Sequence, residues 1–278
     1  MDKRRITQII SATLTNANIK GFVQGEIYKG NLKKMCIPGM NCYSCPSAIG
    51  ACPIGALQAV VGTMKYNVSL YVLGIISLLG VIFGRFICGW ICPFGLIEDL
   101  LYKIPTKKFK VNRSVNNILK YFKYFVLITF VIILPTFLVN EFGISPPYFC
   151  EYICPVGTLE GGLPLIIMNE SLRKTIGFLF YWKLMILLVI VVLSIFIYRP
   201  FCRYICPLGA LYSLFNKISF YKYKIDKNKC TGCNACTNKC KINIEIHENP
   251  NSLECIRCGQ CIKICPTNAI KSNFKYRK

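Results

Sequence analysis

Eighteen cysteines stand against a single histidine, His247, in a chain of 278 residues, and their spacing is where its chemistry lies. Near the C-terminus, Cys230, Cys233, Cys236 and Cys240 follow the pattern C-x2-C-x2-C-x3-C. After fourteen residues Cys255, Cys258, Cys261 and Cys265 repeat it, with Pro266 behind the last. Thiolates suit zinc and iron–sulfur clusters. Zinc sites usually pair two C-x2-C knuckles. In runs of four such as these, three cysteines wrap one corner set of an iron–sulfur cube, and the fourth ligates the neighbouring cube. The expected ligand sets are Cys230, Cys233, Cys236 and Cys265 for one [4Fe-4S] cluster, and Cys255, Cys258, Cys261 and Cys240 for another. Lys241 stands where the first run would carry a proline, which alters a turn but removes no ligand.

This is the spacing of a bacterial two-cluster ferredoxin. A second motif recurs upstream as Cys88-x3-Cys92-Pro93-x-Gly95, Cys150-x3-Cys154-Pro155-x-Gly157 and Cys202-x3-Cys206-Pro207-x-Gly209, with a half copy in Cys52-Pro53-x-Gly55. Residues four apart share one side of a helical turn. The following proline disfavours helix at the second cysteine and can open a new helix, so each pair is expected to cap a span. Two thiolates cannot hold a cube, so the pairs must combine.

The elements that bring them together cross a membrane. A composition that is 54% hydrophobic is too apolar for a soluble chain. Three runs qualify as spans, 66–84, 124–140 and 175–198, since about 20 residues cross about 30 Å of hydrocarbon. Lys183 is expected to snorkel from the third span toward an interface, and Trp90 and Trp182 to anchor there. Residues 99–123 hold seven basic groups and one acid, 141–174 four acids and two bases, and the tail from 199 fifteen bases and four acids. The first and last stretches are therefore cytoplasmic and the second external. The first 65 residues hold eight bases and two acids. Residues 6–14 are accordingly read as a short membrane-entering helix that leaves Lys3, Arg4 and Arg5 inside. The stretch 35–57 then sits at the outer side, or at membrane depth buried in protein.

Topology chooses the partners. Cys88, Cys92, Cys202 and Cys206 fall on the cytoplasmic face and form a third four-cysteine site. Cys36, Cys42, Cys45, Cys52, Cys150 and Cys154 fall on the opposite side. Four of these six would make an outer cluster and leave two spare, or the set includes a redox disulfide, or they are buried inert thiols. Haem is excluded by the lone histidine and the absence of C-x-x-C-H. A disulfide-stapled secreted domain does not fit the long apolar runs. The net charge of +22 is concentrated beside the apolar runs, which explains it without nucleic acid.

On these motifs, Cys88 to Gly95, Cys202 to Gly209 and the two C-terminal runs, the chain resembles the membrane polyferredoxins of the NapH and NosR type. The resemblance implies membrane-bound [4Fe-4S] clusters on the cytoplasmic side. It also implies electron passage between the quinone pool or cytoplasmic carriers and extracytoplasmic reductases. The chain departs from that pattern in a short first membrane helix, in the outer cysteines, and in having no recognisable flavin-attachment domain. The expected fold is an α-helical integral membrane protein with three full spans and the short N-terminal helix, followed by an α+β two-cluster ferredoxin domain. The segments are 1–65, 66–216 and 217–278. The expected function is anaerobic electron relay in the cell (inner) membrane, with the ferredoxin domain cytoplasmic. The donor would be a ferredoxin- or flavodoxin-like carrier and the acceptor a membrane or extracytoplasmic oxidoreductase. The chain would be a carrier or subunit with no catalytic residues of its own, and His247 an exposed loop residue. The rival readings are a membrane-anchored ferredoxin for assembly or redox sensing, and a transmembrane thiol–disulfide relay.

Overall fold

The computed structural model describes residues 3–63, 69–140 and 145–273. Helices α1 (Lys3–Thr15) and α2 (Ile19–Gln24) and a 3-10 turn (Asn31–Lys34) lead through a cysteine-rich loop to α3 (Pro53–Gly62). Next come α4 (Leu70–Phe83), α5 (Phe86–Trp90), α6 (Pro93–Leu101) and α7 (Arg113–Val126), which continues through a π turn (Leu127–Ile133) into α8 (Leu134–Phe137). After α9 (Tyr148–Tyr152) a second π turn (Gly157–Gly162) precedes α10 (Leu163–Met168), α11 (Glu170–Lys174) and the long α12 (Phe178–Phe196). The chain ends in α13 (Pro200–Tyr204), α14 (Pro207–Phe215), β1 (Tyr223–Ile225), α15 (Ala235–Lys239), α16 (Gln260–Ile264) and β2 (Ile270–Ser272).

Among the described residues two helices are long and apolar enough to cross a membrane, Ser114–Phe137 and Phe178–Phe196. The first expected span, 66–84, is not of full length: α4 has 14 residues, about 21 Å at 1.5 Å per residue. Residues 66–68 of that span lie outside the described residues. The helix stops at Gly84, whose φ of 53° and ψ of −139° suit glycine alone. A Cβ there would also meet Asn216 Oδ1 at 2.7 Å.

Helix α1 turns its polar side inward. Arg4 and Gln8 are buried and bind Asp99 on α6, and Ser11 Oγ donates to Ile91 O at 2.8 Å. Ile6, Ile9, Ile10 and Leu14 are exposed, the inverse of a soluble amphipathic helix and the arrangement that apolar surroundings favour. The loop behind it, with Cys36, Met40, Asn41, Cys45, Ala51 and Cys52 all buried, is irregular backbone enclosed in protein. Its polar groups are met locally: Lys33 Nζ donates to Ala48 O at 2.7 Å, and Ile49 N to Thr15 O at 3.1 Å.

The C-terminal part repeats itself. β1 and β2 pair antiparallel with Tyr223 opposite Ser272. Left-handed residues flank the middle cysteine of each run, Gly232 and Asn234 in the first, Arg257 and Gly259 in the second. Cys240 and Cys265 share one backbone conformation, with φ −71° and −70°, so Lys241 in place of proline leaves the turn unchanged. Its ammonium lies 4.9 Å and 5.1 Å from the ring centroids of Tyr102 and Tyr198.

Arg257 fastens this part to the end of α4 and to the segment after α14. Its Nη1 donates to Phe83 O at 2.8 Å, and its Nη2 to Asn216 O at 2.6 Å and Ser219 Oγ at 2.7 Å. Trp90 Nε1 donates back to Arg257 O at 2.9 Å, so Trp90 joins the two parts, a contact the anchoring expectation did not include. Replacing Arg257 by alanine should loosen the joint, seen as faster limited proteolysis around residues 216–222 in reconstituted protein. Unchanged protection would show that the remaining contacts suffice.

Candidate cluster sites

The three Cys-x3-Cys-Pro copies build one local structure. Cys88, Cys150 and Cys202 each sit in a five-residue helix. The isoleucine that ends each helix, Ile91, Ile153 or Ile205, has φ between −115° and −119°. The second cysteine N–H then reaches back to Ile87 O, Phe149 O or Phe201 O at 2.9–3.1 Å. Cys52, Cys92 and Cys206 are extended residues ahead of a proline that opens the next helix. The pairs therefore ride on short helices beyond the spans, separated from α4 by Gly84 and from α12 by Arg199, which adopts φ +51°.

Cys88, Cys92, Cys202 and Cys206 line one buried cavity with Met40, Phe94, Phe201, Leu208 and Glu98. Two arginines, each 1% exposed, cross between the copies. Arg85, three residues before Cys88, donates through Nη2 to Cys202 O at 3.0 Å. Arg199, three residues before Cys202, donates through Nη1 to Cys88 O at 2.5 Å. Gly95 and Gly209 leave room for these guanidiniums, since a Cβ would come within 3.2 Å of Arg199 and 3.6 Å of Arg85. Asp99 takes Arg199 at 2.9 and 2.6 Å together with Arg4, while Glu254 takes Arg85 at 2.8 Å and Lys123 at 2.5 Å. The sequence reading treated Arg85 and Arg199 as flanking charge. The signal for their role is the repeated R-x2-C-x3-C-P, absent from the copy at Cys150, where Pro147 occupies the arginine position.

The C-terminal cysteines line two further cavities, one with Cys230, Cys233, Cys236 and Cys265, the other with Cys240, Cys255, Cys258 and Cys261. The fourth member of each set comes from the opposite run. His247, expected as an exposed loop residue, lies on a turn but also borders the first cavity, its Nδ1 3.3 Å from Thr237 Oγ1. Burial pushes the Cys255 thiol up to about 12, so it would ionise in the company of a metal and not by itself.

Cys42, Cys52, Cys150 and Cys154 line a separate cavity of about 620 Å³. The other two cysteines of the outer six stay out of it. Cys36 bridges Ala51 through its backbone, and Cys45 Sγ lies 3.1 Å from Ser47 Oγ. Gly161 abuts Cys42, where a Cβ would lie 3.3 Å from its Sγ. Burial drives the Cys42 thiol up to about 12, with Glu160 beside it adding to the shift, and burial likewise drives Cys150 to about 12. Such thiols are poor nucleophiles, which weighs against a thiol–disulfide relay. Lys183 does not snorkel: half-buried, it turns inward and donates to Cys150 O at 3.1 Å. Trp182 Nε1 donates to Tyr152 O at 3.2 Å.

Four all-sulfur donor sets around cavities, one of them beside the buried Arg85 and Arg199, suit an anionic cube. The chain matches the 4Fe-4S binding domain family over residues 66–112, 122–163 and 179–228, and a 4Fe-4S dicluster domain over 222–266. Two uncharacterized proteins of Methanocaldococcus jannaschii are each 34% identical. One match covers 69% of this chain and 65% of that protein, the other 73% and 78%. The ferredoxin-type protein NapH of Escherichia coli is 27% identical over 77% of this chain and 71% of its own length. The chain belongs to the NapH/NosR-type polyferredoxin family. It is an iron–sulfur electron-transfer protein, with two helices among the described residues long and apolar enough to cross a membrane. No solved structure matches it.

In this polyferredoxin three of the cavities are linked through shared or touching residues. Gly89, next to Cys88, packs on Ile256, next to Cys255, so closely that a Cβ on Gly89 would meet Ile256 O at 2.2 Å. Met40 lines both the inner and the outer cavity. Met40 follows Gly39, where a Cβ would lie 2.9 Å from Cys92 Cα, and precedes Asn41, which lines the outer cavity with Cys52. Cα atoms of successive residues are about 3.8 Å apart.

Proposed function

We propose that this polyferredoxin is a transmembrane electron conduit. Electrons would enter from a soluble acidic carrier of ferredoxin or flavodoxin type at a cytoplasmic ferredoxin domain. They would leave to a membrane or extracytoplasmic oxidoreductase. Each [4Fe-4S] group, when bound, supplies one-electron redox chemistry. Cys230, Cys233, Cys236 and Cys265 would hold the first and Cys240, Cys255, Cys258 and Cys261 the second. Cys88, Cys92, Cys202 and Cys206 would hold the third, and Cys42, Cys52, Cys150 and Cys154 the fourth.

One observation carries the reading. Met40 lines both the inner and the outer cavity, and Gly39 before it packs on Cys92, so the two sites are neighbours rather than a bilayer apart. At the other end Gly89 packs on Ile256 and brings the segments that carry Cys88 and Cys255 into contact. Cys230 and Cys233 are exposed. The stretch from residue 217 carries thirteen basic against four acidic groups, a surface that would steer an acidic donor.

Anaerobically purified protein should contain about 16 iron atoms per chain. In inverted vesicles given dithionite outside, the double change Cys150→Ser with Cys154→Ser should lower this to about 12. It should also abolish reduction of an acceptor trapped in the lumen. Undiminished lumenal reduction would overturn the conduit.

A further inference from the structure

Every Cys-x3-Cys-Pro copy has the carbonyl of its first cysteine bound by a cation from a distant part of the chain. Arg199 holds Cys88 O, Arg85 holds Cys202 O, and Lys183 holds Cys150 O, at 2.5, 3.0 and 3.1 Å. In the inner pair each arginine precedes the partner copy by a fixed interval. The outer site is made from one full copy and one half copy, whose equivalent positions are Pro147 and Cys45. Neither supplies a cation, and α12 supplies one instead. A Cβ on Gly157 would lie 3.9 Å from Lys183 Nζ and 3.8 Å from Cys42 Sγ, so ammonium and thiol flank the same glycine. Lys183 is the one charged side chain among the described residues lining this cavity.

We infer that Lys183 is the counter-charge of the outer cluster site, holding Cys150 in place and favouring the reduced, more negative state of the group bound by Cys42, Cys52, Cys150 and Cys154. The inference rests on the outer site of the proposed conduit. A cube with four thiolates is an anion, and reduction adds one negative charge. A cation a few ångströms away in a buried site therefore raises its reduction potential. An ammonium within an apolar helix is costly without a partner, and the anion is that partner. Two further titratable groups lie near Cys42, and neither lines the cavity. Glu160 accepts the Cys42 N–H at 2.8 Å, and Lys33 donates to Ala48 O. Lys183 is left as the cation facing the cavity.

The test uses the full chain, purified anaerobically, as wild type, Lys183→Met and Lys183→Arg, with iron analysis and redox titration followed by low-temperature EPR. Wild type with about 16 iron atoms establishes the outer site; about 12 removes it, and this inference with it, before any variant is measured. With 16 present, Lys183→Met should shift the midpoint of one cluster to lower potential, or lose that cluster alone. The other three midpoints should stay where they are, and Lys183→Arg should retain the wild-type signal. Four unchanged midpoints in Lys183→Met, or equal damage in both variants, would show that Lys183 has no electrostatic role and would leave the conduit itself standing.

Discussion

Replacing Gly89 by valine should leave the cluster sites loaded and yet slow reduction of the membrane-embedded centres by about 10-fold or more. The cause is steric. A Cβ on Gly89 would sit 2.2 Å from Ile256 O and 3.3 Å from its carbonyl carbon, and carbon–oxygen contacts relax only near 3.4–3.5 Å. Both sides of the clash are backbone, so no side chain can swing away. The ferredoxin part must retreat by about 1 Å or more. That retreat strains the Trp90–Arg257 and Arg257–Phe83 bonds as well. Tunnelling falls steeply with distance, so a small separation is amplified in rate. Rapid freeze-quench EPR after mixing with a soluble reductant measures it. The ferredoxin-domain signals should appear at the wild-type rate and the remaining signals late. Coincident appearance of all signals in a fully loaded variant would mean that electrons do not cross at Gly89.

Arg199→Met should remove the inner site. Arg199 spends its guanidinium on Cys88 O, Gly95 O and both oxygens of Asp99. Without it Asp99 keeps only Arg4 and Gln8, and the Cys88 carbonyl loses its Arg199 bond inside the protein. Breaking a buried ion pair from one side costs about 3–5 kcal/mol, and the losses fall on two cluster-bearing segments at once. Iron should drop by about four atoms per chain, with a lower thermal unfolding midpoint. Arg199→Lys should fail similarly, because one ammonium cannot replace a planar fork that serves four acceptors. Full iron content in Arg199→Met would show that the cross-strapping is dispensable. Arg85→Met should be milder, since Glu254 keeps Lys123.

The functional readings that survive depend on which features a linear spacing can encode. The C-terminal cavities gather cysteines whose partners lie within one short repeat, so local turns set by Gly232, Asn234, Arg257 and Gly259 are enough to aim them. The Cys-x3-Cys-Pro copies are legible for the same reason: a proline behind each second cysteine forces an extended residue and a new helix. Span length was less legible, because apolar composition continues to residue 84 whereas α4 is ended by neighbours that tolerate only glycine there.

The sequence by itself determined the chemistry: all-thiolate donor sets, apolar helices and a basic C-terminal part, all properties of residue type and short spacing. The tertiary structure decided everything that depends on meeting at a distance. It placed Cys42 and Cys52 with Cys150 and Cys154 and left Cys36 and Cys45 aside. It turned Lys183 inward, crossed Arg85 and Arg199 between copies, and pressed Gly89 on Ile256. Such pairings span tens to more than a hundred residues. They are fixed by how buried charges and close-packed backbones find partners once the helices pack, which no local pattern records.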